Sequence, residues 1–247
     1  MQSFWSLFDR SYPCLLLAFC YQIVEDSDMF ESSIMVIEDD SFTRSTLCAA
    51  LRSLGLNVVA ESGSSREALV LGRTHMPSAA LIDLDLGKGP TGIDLAIALR
   101  QIKRDIGIVF LTSYDDPRFL RPNLPPLPAG SQYLVKKSVG EITTVTRAIK
   151  SAILSAKQTS GGSKALKLGG GVHLSELTNI QIETLRLVSQ GLTNSEIAKQ
   201  RFITVKSVEQ TINRIAKILN LPQDITHNQR VHMARVFFRS SGSAPNE

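Results

Sequence analysis

Residues 79–84 read AALIDL, an apolar run that meets an acid, Asp83, near its end. Four other stretches have the same length and character: IMVIE (34–38), NVVAE (57–61), IGIVFL (106–111) and QYLVK (132–136). Three of the five are almost continuously apolar, as strands buried on both faces must be. Helical spacing fills the gaps at 41–54, 64–75 and 92–103. In the first of these Leu47, Ala50, Leu51 and Leu54 recur at intervals of three and four. Val139, Ile142, Val145, Ile149 and Ile153 continue the helical period after the fifth strand. Strands alternating with helices predict an α/β fold with a doubly wound, five-stranded parallel sheet, whose ligands lie at the carboxyl ends of the strands.

The alternation fails once. PRFLRPNLPPLPAG (117–130) carries five prolines, which remove backbone donors and disfavour helix in the residues before them. A helix between the fourth and fifth strands is therefore expected to be short or absent. Residues 156–173 are rich in Gly, Ser and Lys without sustained period, and read as a flexible linker between a first domain at 33–155 and a second at 174–240. Residues 241–247 read as a disordered tail. Residues 1–32 read as an extension, with Met29 an alternative start, and carry no assigned function.

Composition narrows the classes. With 247 residues and 43% hydrophobic content, the chain can bury one or two real cores. The apolar run at 12–24 is too short to cross a bilayer, which takes roughly 20 residues, and it lacks the basic start of an export signal. Cys14, Cys20 and Cys48 have neither metal-site nor disulfide-framework spacing, in keeping with a reducing, cytoplasmic setting. The net charge of +4 is uneven: residues 156–247 hold twelve Lys/Arg against six Asp/Glu, whereas 29–155 are nearly neutral. A basic C-terminal third points weakly to a polyanion such as nucleic acid.

Glu38 and Asp39 close the first strand and Asp83 closes the third, so a parallel sheet brings three carboxylates into one crevice. Like charges packed together call for a cation, and hard oxygen ligands suit magnesium. Asp83 could then act as a nucleophile toward a phosphoryl group, giving an aspartyl phosphate. Thr112 and Lys136, at the ends of the fourth and fifth strands, could hold the phosphoryl oxygens. Each of these residues alone would pass as a cap or a surface charge; their joint placement argues for a site.

The stretch LTNIQIETLRLVSQGLTNSEIAKQRFITVKSVEQTINRIAKILNL (177–221) punctuates itself into three helices. Thr178 with Gln181 and Thr193 with Glu196 look like capping boxes, and Thr204 can cap the third helix. On that helix Val205, Val208, Ile212, Ile215 and Leu219 form one apolar face. The opposite face displays Lys206, Ser207, Glu209, Gln210, Asn213, Arg214 and Lys217. Two short helices joined by a tight turn make a helix-turn-helix. Residues near the start of its second helix, Thr204 onward, would then reach base edges, with basic flanks on phosphates. Gln210 could read adenine, and Lys206 could take guanine or a phosphate. Periodicity alone fits a small helical bundle with a solvated face equally well.

The order of VIEDD, LIDLDL, FLTS and YLVKK along residues 34–155 resembles a response-regulator receiver domain, of flavodoxin-like fold. The resemblance implies Glu38 and Asp39 as metal-binding acids, Asp83 as phosphoacceptor and the backbone carbonyl of Asp85 as a further ligand to Mg2+. It also implies Thr112 as the switch hydroxyl, Lys136 as the lysine of the site and Tyr133 at the aromatic switch position. Residues 174–221 resemble the LuxR-type helix-turn-helix of the NarL/FixJ group, implying a small four-helix domain. A last helix at about 226–239, with Val231, Ala234 and Phe238 as its apolar face, would support a homodimer on DNA. A sensor histidine kinase is the implied phosphate donor. Two departures stand out: GKGPTG (87–92) is one residue longer than the usual loop, and the proline-rich stretch replaces a helix that many receivers use to signal. The rivals are a phosphatase using Asp83 and Asp85, and a constitutive DNA-binding protein whose receiver is only a docking module.

Overall fold

The computed structural model describes residues 32–121, 123–158, 166–168, 174–222 and 228–242. The five expected strands form as β1 (Ser33–Ile37), β2 (Asn57–Ser62), β3 (Ala79–Ile82), β4 (Gly107–Thr112) and β5 (Gln132–Val135). All pair in parallel, and a sixth, β6 (Leu166–Leu168), adds to β5, giving the order β2-β1-β3-β4-β5-β6. That short strand falls inside the segment expected to be linker.

Alternation along each strand divides the core. Met35, Ile37, Ile82 and Phe110 face one side, where α2 (Ser65–His75) and α3 (Gly92–Ile102) pack, while Ile34, Val36, Val109 and Leu111 face α1 (Ser41–Ser53) and α4 (Ile142–Gln158). The strand order reverses between β1 and β3, so the carboxyl ends of these two strands flank the switch point of the sheet. The helices start where side chains cap them. Asp40 accepts from the Thr43 N–H at 2.7 Å, and Thr91 forms a reciprocal box with Asp94. Helix α4 runs to Gln158, three residues past the expected domain boundary.

Among the described residues between β4 and β5, only a single 3₁₀ turn forms, Pro117–Phe119, capped by the Asp116 carboxylate. This is the expected consequence of the prolines.

The second domain consists of α5 (Asn179–Ser189), α6 (Asn194–Gln200), α7 (Val205–Ile218) and α8 (Gln229–Ser240). Leu185, Ile197, Val208, Ile215 and Met233 are at its centre. The Thr178–Gln181 box forms in full. The Thr193 box forms only in half, because the Glu196 carboxylate pairs with Lys199 at 2.7 Å instead of returning to the cap. Two apolar faces also differ from the sequence reading. Val205 is exposed at the start of α7, and α8 turns Met233, Val236 and Phe237 inward while Val231 is half exposed. Among the described residues no helix is long and apolar enough to cross a membrane.

The domains touch. Phe119 is buried in the apolar cluster of the helical domain, with its ring 5.6 Å from that of Phe237. The Arg118 guanidinium donates to the Leu177 and Leu174 carbonyls, and that of Arg186 donates back to the Arg118 and Phe119 carbonyls. At the end of α8, the Asp115 N–H donates to the Ser240 carbonyl at 2.8 Å and Lys137 to the Arg239 carbonyl at 3.0 Å.

Candidate functional site

Because β1 and β3 are neighbours and β5 runs parallel to them beyond β4, the chain turns that follow these three strands open at the same edge of the sheet. Glu38, Asp39 and Asp83 each place a carboxylate oxygen there, all within 4.8 Å of one another. Glu38 and Asp83 are buried and Asp39 is exposed. Lys136 reaches across from the end of β5: its Nζ lies 2.7 Å from Glu38 Oε2 and 2.8 Å from Asp83 Oδ2.

One ammonium cannot balance three carboxylates. Burial, reinforced by the Asp83 charge and only partly countered by Lys136, pushes the Glu38 carboxyl up to about 7. Burial alone would lower Lys136, but Asp83 and then Glu38 outweigh it and hold the ammonium above its ordinary range. The two shifts agree in physical content: the crevice carries surplus negative charge. A divalent cation with a preference for oxygen fits this donor set, and the Lys136 ammonium already occupies the position between two of its donors.

Other expected residues take less expected positions. Thr112 ends β4 but is fully buried beneath the crevice, its Oγ1 3.4 Å from the Tyr114 N–H. Tyr133 is also fully buried, and its hydroxyl donates to the Tyr114 carbonyl at 2.7 Å. The Asp85 side chain accepts from the Tyr114 hydroxyl at 3.0 Å and from the Gly87 N–H at 3.2 Å. The crevice is lined by Ser113, Tyr114, Ser241 and Gly242 as well as by the acids, so the end of α8 overhangs it.

Four residues escaped the sequence reading. Arg44 donates to the carbonyls of Glu38 and Asp39, pinning the acidic turn, and its position one helical turn after Asp40 was the available sign. Tyr114 and the Arg118–Phe119 pair had no local sign, since their partners lie elsewhere in the chain.

In the helical domain Thr204, Lys206, Glu209, Gln210, Asn213, Arg214 and Lys217 share the exposed side of α7, and Ser207 is half-buried. Thr204 caps the helix by accepting from the Ser207 N–H at 3.2 Å, and the two hydroxyls are 2.9 Å apart. Among the described residues, nothing in the receiver covers this face.

A parallel sheet with an acidic crevice at its switch point, followed by a helix-turn-helix domain, defines a two-domain regulator of transcription. The model for the response regulator receiver domain matches residues 34–161. The transcriptional regulatory protein LiaR of Bacillus subtilis is 31% identical over 199 residues, covering 76% of this chain and 90% of its own. The transcriptional activator DevR/DosR of Mycobacterium tuberculosis is 29% identical over 171 residues, 67% of this chain and 77% of its own. Among solved structures, one of two RcsB dimers bound to two parallel DNAs superposes with a TM-score of 0.52 at 21% identity, covering 85% of this chain and 98% of that one. The chain belongs to the response regulators of the NarL/FixJ type.

Proposed function

We propose that this protein acts in the cytoplasm, that Asp83 accepts a phosphoryl group from a sensor histidine kinase, and that this modification controls dimerisation and sequence-specific DNA binding by the C-terminal domain. The convergence of Glu38, Asp39, Asp83 and Lys136 on one crevice carries the reading. In the transfer, an Asp83 oxygen forms the new bond to phosphorus as the phosphorus–nitrogen bond of the donor phosphohistidine breaks, and the departing imidazole recovers a proton. Mg2+ held by Glu38, Asp39, Asp83 and the Asp85 carbonyl would neutralise charge on the transferred oxygens. Lys136, already 2.8 Å from Asp83, is placed to follow the phosphoryl group. The new charge of about −1.5 to −2 would draw the Thr112 hydroxyl upward from its buried position and disturb Tyr133 and Tyr114 above it.

The same geometry supports a non-enzymatic role. A phosphatase would need a second carboxylate free for acid–base work, and the Asp85 side chain is held by Tyr114 and Gly87. On DNA, Lys206, Gln210, Asn213 and Arg214 would face the major groove, with Lys217 on a phosphate. A homodimer would pair the outer face of α8, where Val231 is half exposed.

One observation favours a second reading. The polar face of α7 is exposed while the domains are docked, which would suit a constitutive DNA-binding protein. The deciding experiment measures DNA binding at fixed salt with and without beryllofluoride and magnesium, for the wild type and Asp83→Asn. A response confined to the wild type supports the phosphorylation switch. Equal binding by both proteins in every condition replaces it with the constitutive reading.

A further inference from the structure

Tyr114 lies two residues beyond β4, and four contacts meet on it. Its hydroxyl donates to Asp85 Oδ2 at 3.0 Å, on the loop that follows Asp83. Its N–H points at Thr112 Oγ1, and its carbonyl accepts from the Tyr133 hydroxyl. Its ring packs against the apolar cluster of the helical domain. The other interdomain bonds described above run through Asp115, Arg118, Lys137 and Arg186, none of which bonds to a carboxylate of the crevice. Tyr114 both bonds a carboxylate lining the acidic crevice and packs into the neighbouring domain.

We propose that Tyr114 is a positioning residue that couples the acidic crevice to the DNA-binding domain, its bond to Asp85 holding the helical domain docked while the crevice is empty of phosphate. The inference rests on the phosphorylation reading given above and adds the residue that transmits it. Occupying Asp83 places new negative charge beside Asp85 and pulls Thr112 toward the phosphoryl oxygens. Both ends of the Tyr114 backbone then lose their resting partners, and Asp85 moves relative to the phenol. The hydroxyl is carried on the ring itself, so a displacement at the crevice moves the ring against the helical domain. If phosphate and docking oppose each other through Tyr114, linkage requires that loss of that contact tighten phosphate-mimic binding by the factor by which it weakens docking.

The test uses the full chain. Amide hydrogen exchange across Val236–Ser240 reports docking of α8, and a beryllofluoride titration with magnesium reports the crevice. Tyr114→Phe keeps the ring and removes the donor. It is expected to lower protection of that segment about tenfold without the mimic, as loss of one hydrogen bond to a charged acceptor would, and to tighten beryllofluoride binding by a matching factor. In the Tyr114→Phe background, Asp85→Asn should add nothing further to the loss of protection. A purely structural role would loosen α8 without tightening the mimic, and that result overturns the proposal. So does full additivity of the two substitutions. If the wild type itself shows no change in α8 protection with beryllofluoride, the phosphorylation reading fails and the coupling falls with it. If the wild type responds and Tyr114→Phe matches it in both measurements, only the role of Tyr114 fails.

Discussion

The ring of Phe119, carried by the receiver, lies 5.6 Å from that of Phe237 on α8 at an interplanar angle of 58°. Phe119 is only 2% exposed, within the apolar cluster of the helical domain. Among the described residues of the proline-rich segment a single turn forms, and the Asp116–Arg118 pair at 3.0 Å stiffens it. The segment that departs most from the family pattern is thus the one the helical domain closes upon.

Replacing Phe119 by Ala should therefore undock the domains while leaving the receiver sheet intact. Truncating a buried Phe costs about 3 kcal/mol or more, and most of that loss falls on the interdomain contact. Small-angle scattering should show a larger radius of gyration without the phosphate mimic, and little further change with it. A wild-type radius in the variant would sink the prediction.

The buried acid of the crevice makes stability depend on pH. The folded Glu38 carboxyl, at about 7, lies above its ordinary value of 4.5. Its contribution is therefore fully present below about 4.5 and is lost as pH rises through about 7. Without metal, the receiver should melt at a lower temperature at pH 8 than at pH 5.5, and Glu38→Gln should flatten that difference. Protons and cations compete for the same oxygens, so magnesium should raise the melting temperature more at pH 8 than at pH 5.5. Equal shifts at both pH values would remove the acidic cluster as the metal site.

Much of this was legible in the sequence because it is written in local patterns. Short apolar runs located β1 to β5, and acids or a lysine at strand ends are brought together by any parallel sheet of this order. The prolines announced the missing helix. Other features depend on contacts that no local pattern records. Arg118 finds carbonyls 56 and 59 residues away, and Thr112 turns inward because the Tyr114 backbone offers it a partner. The sixth strand has three residues in a Gly-, Ser- and Lys-rich stretch, too short for periodicity to register. On α8 the apolar residues outnumber what one face can hold, so spacing could not say whether Val231 or Met233 points inward.

Gly92 tests how tightly the loop after Asp83 is built. Its N–H donates to the Leu84 carbonyl at 2.8 Å, and a Cβ there would lie 2.1 Å from the Asp83 carbonyl oxygen. That is backbone, which cannot swing aside as a side chain would. Gly92→Ala should cost on the order of 1–3 kcal/mol, as overpacking does, and should displace the Asp83 backbone. Urea unfolding should show the loss of stability, and beryllofluoride affinity should fall with it. A variant of unchanged stability would mean that the longer 87–92 loop yields freely.

On α7 the exposed face should divide into residues that read sequence and residues that only bind charge. Gln210 projects from the middle of the helix, and Lys217 stands in its last turn. Changing Lys217 to Ala removes one phosphate contact, so affinity should fall almost evenly across sequences and the salt dependence should flatten by about one ion. Gln210→Ala removes a bidentate partner for adenine, with an expected loss of about 1–3 kcal/mol confined to one base position and an unchanged salt slope. Selection from a random duplex pool, followed by salt titrations on the enriched site, separates the two effects. If Gln210→Ala weakens every sequence alike while Lys217→Ala alters base preference, α7 docks in another register and the assignment of its polar face must be redrawn.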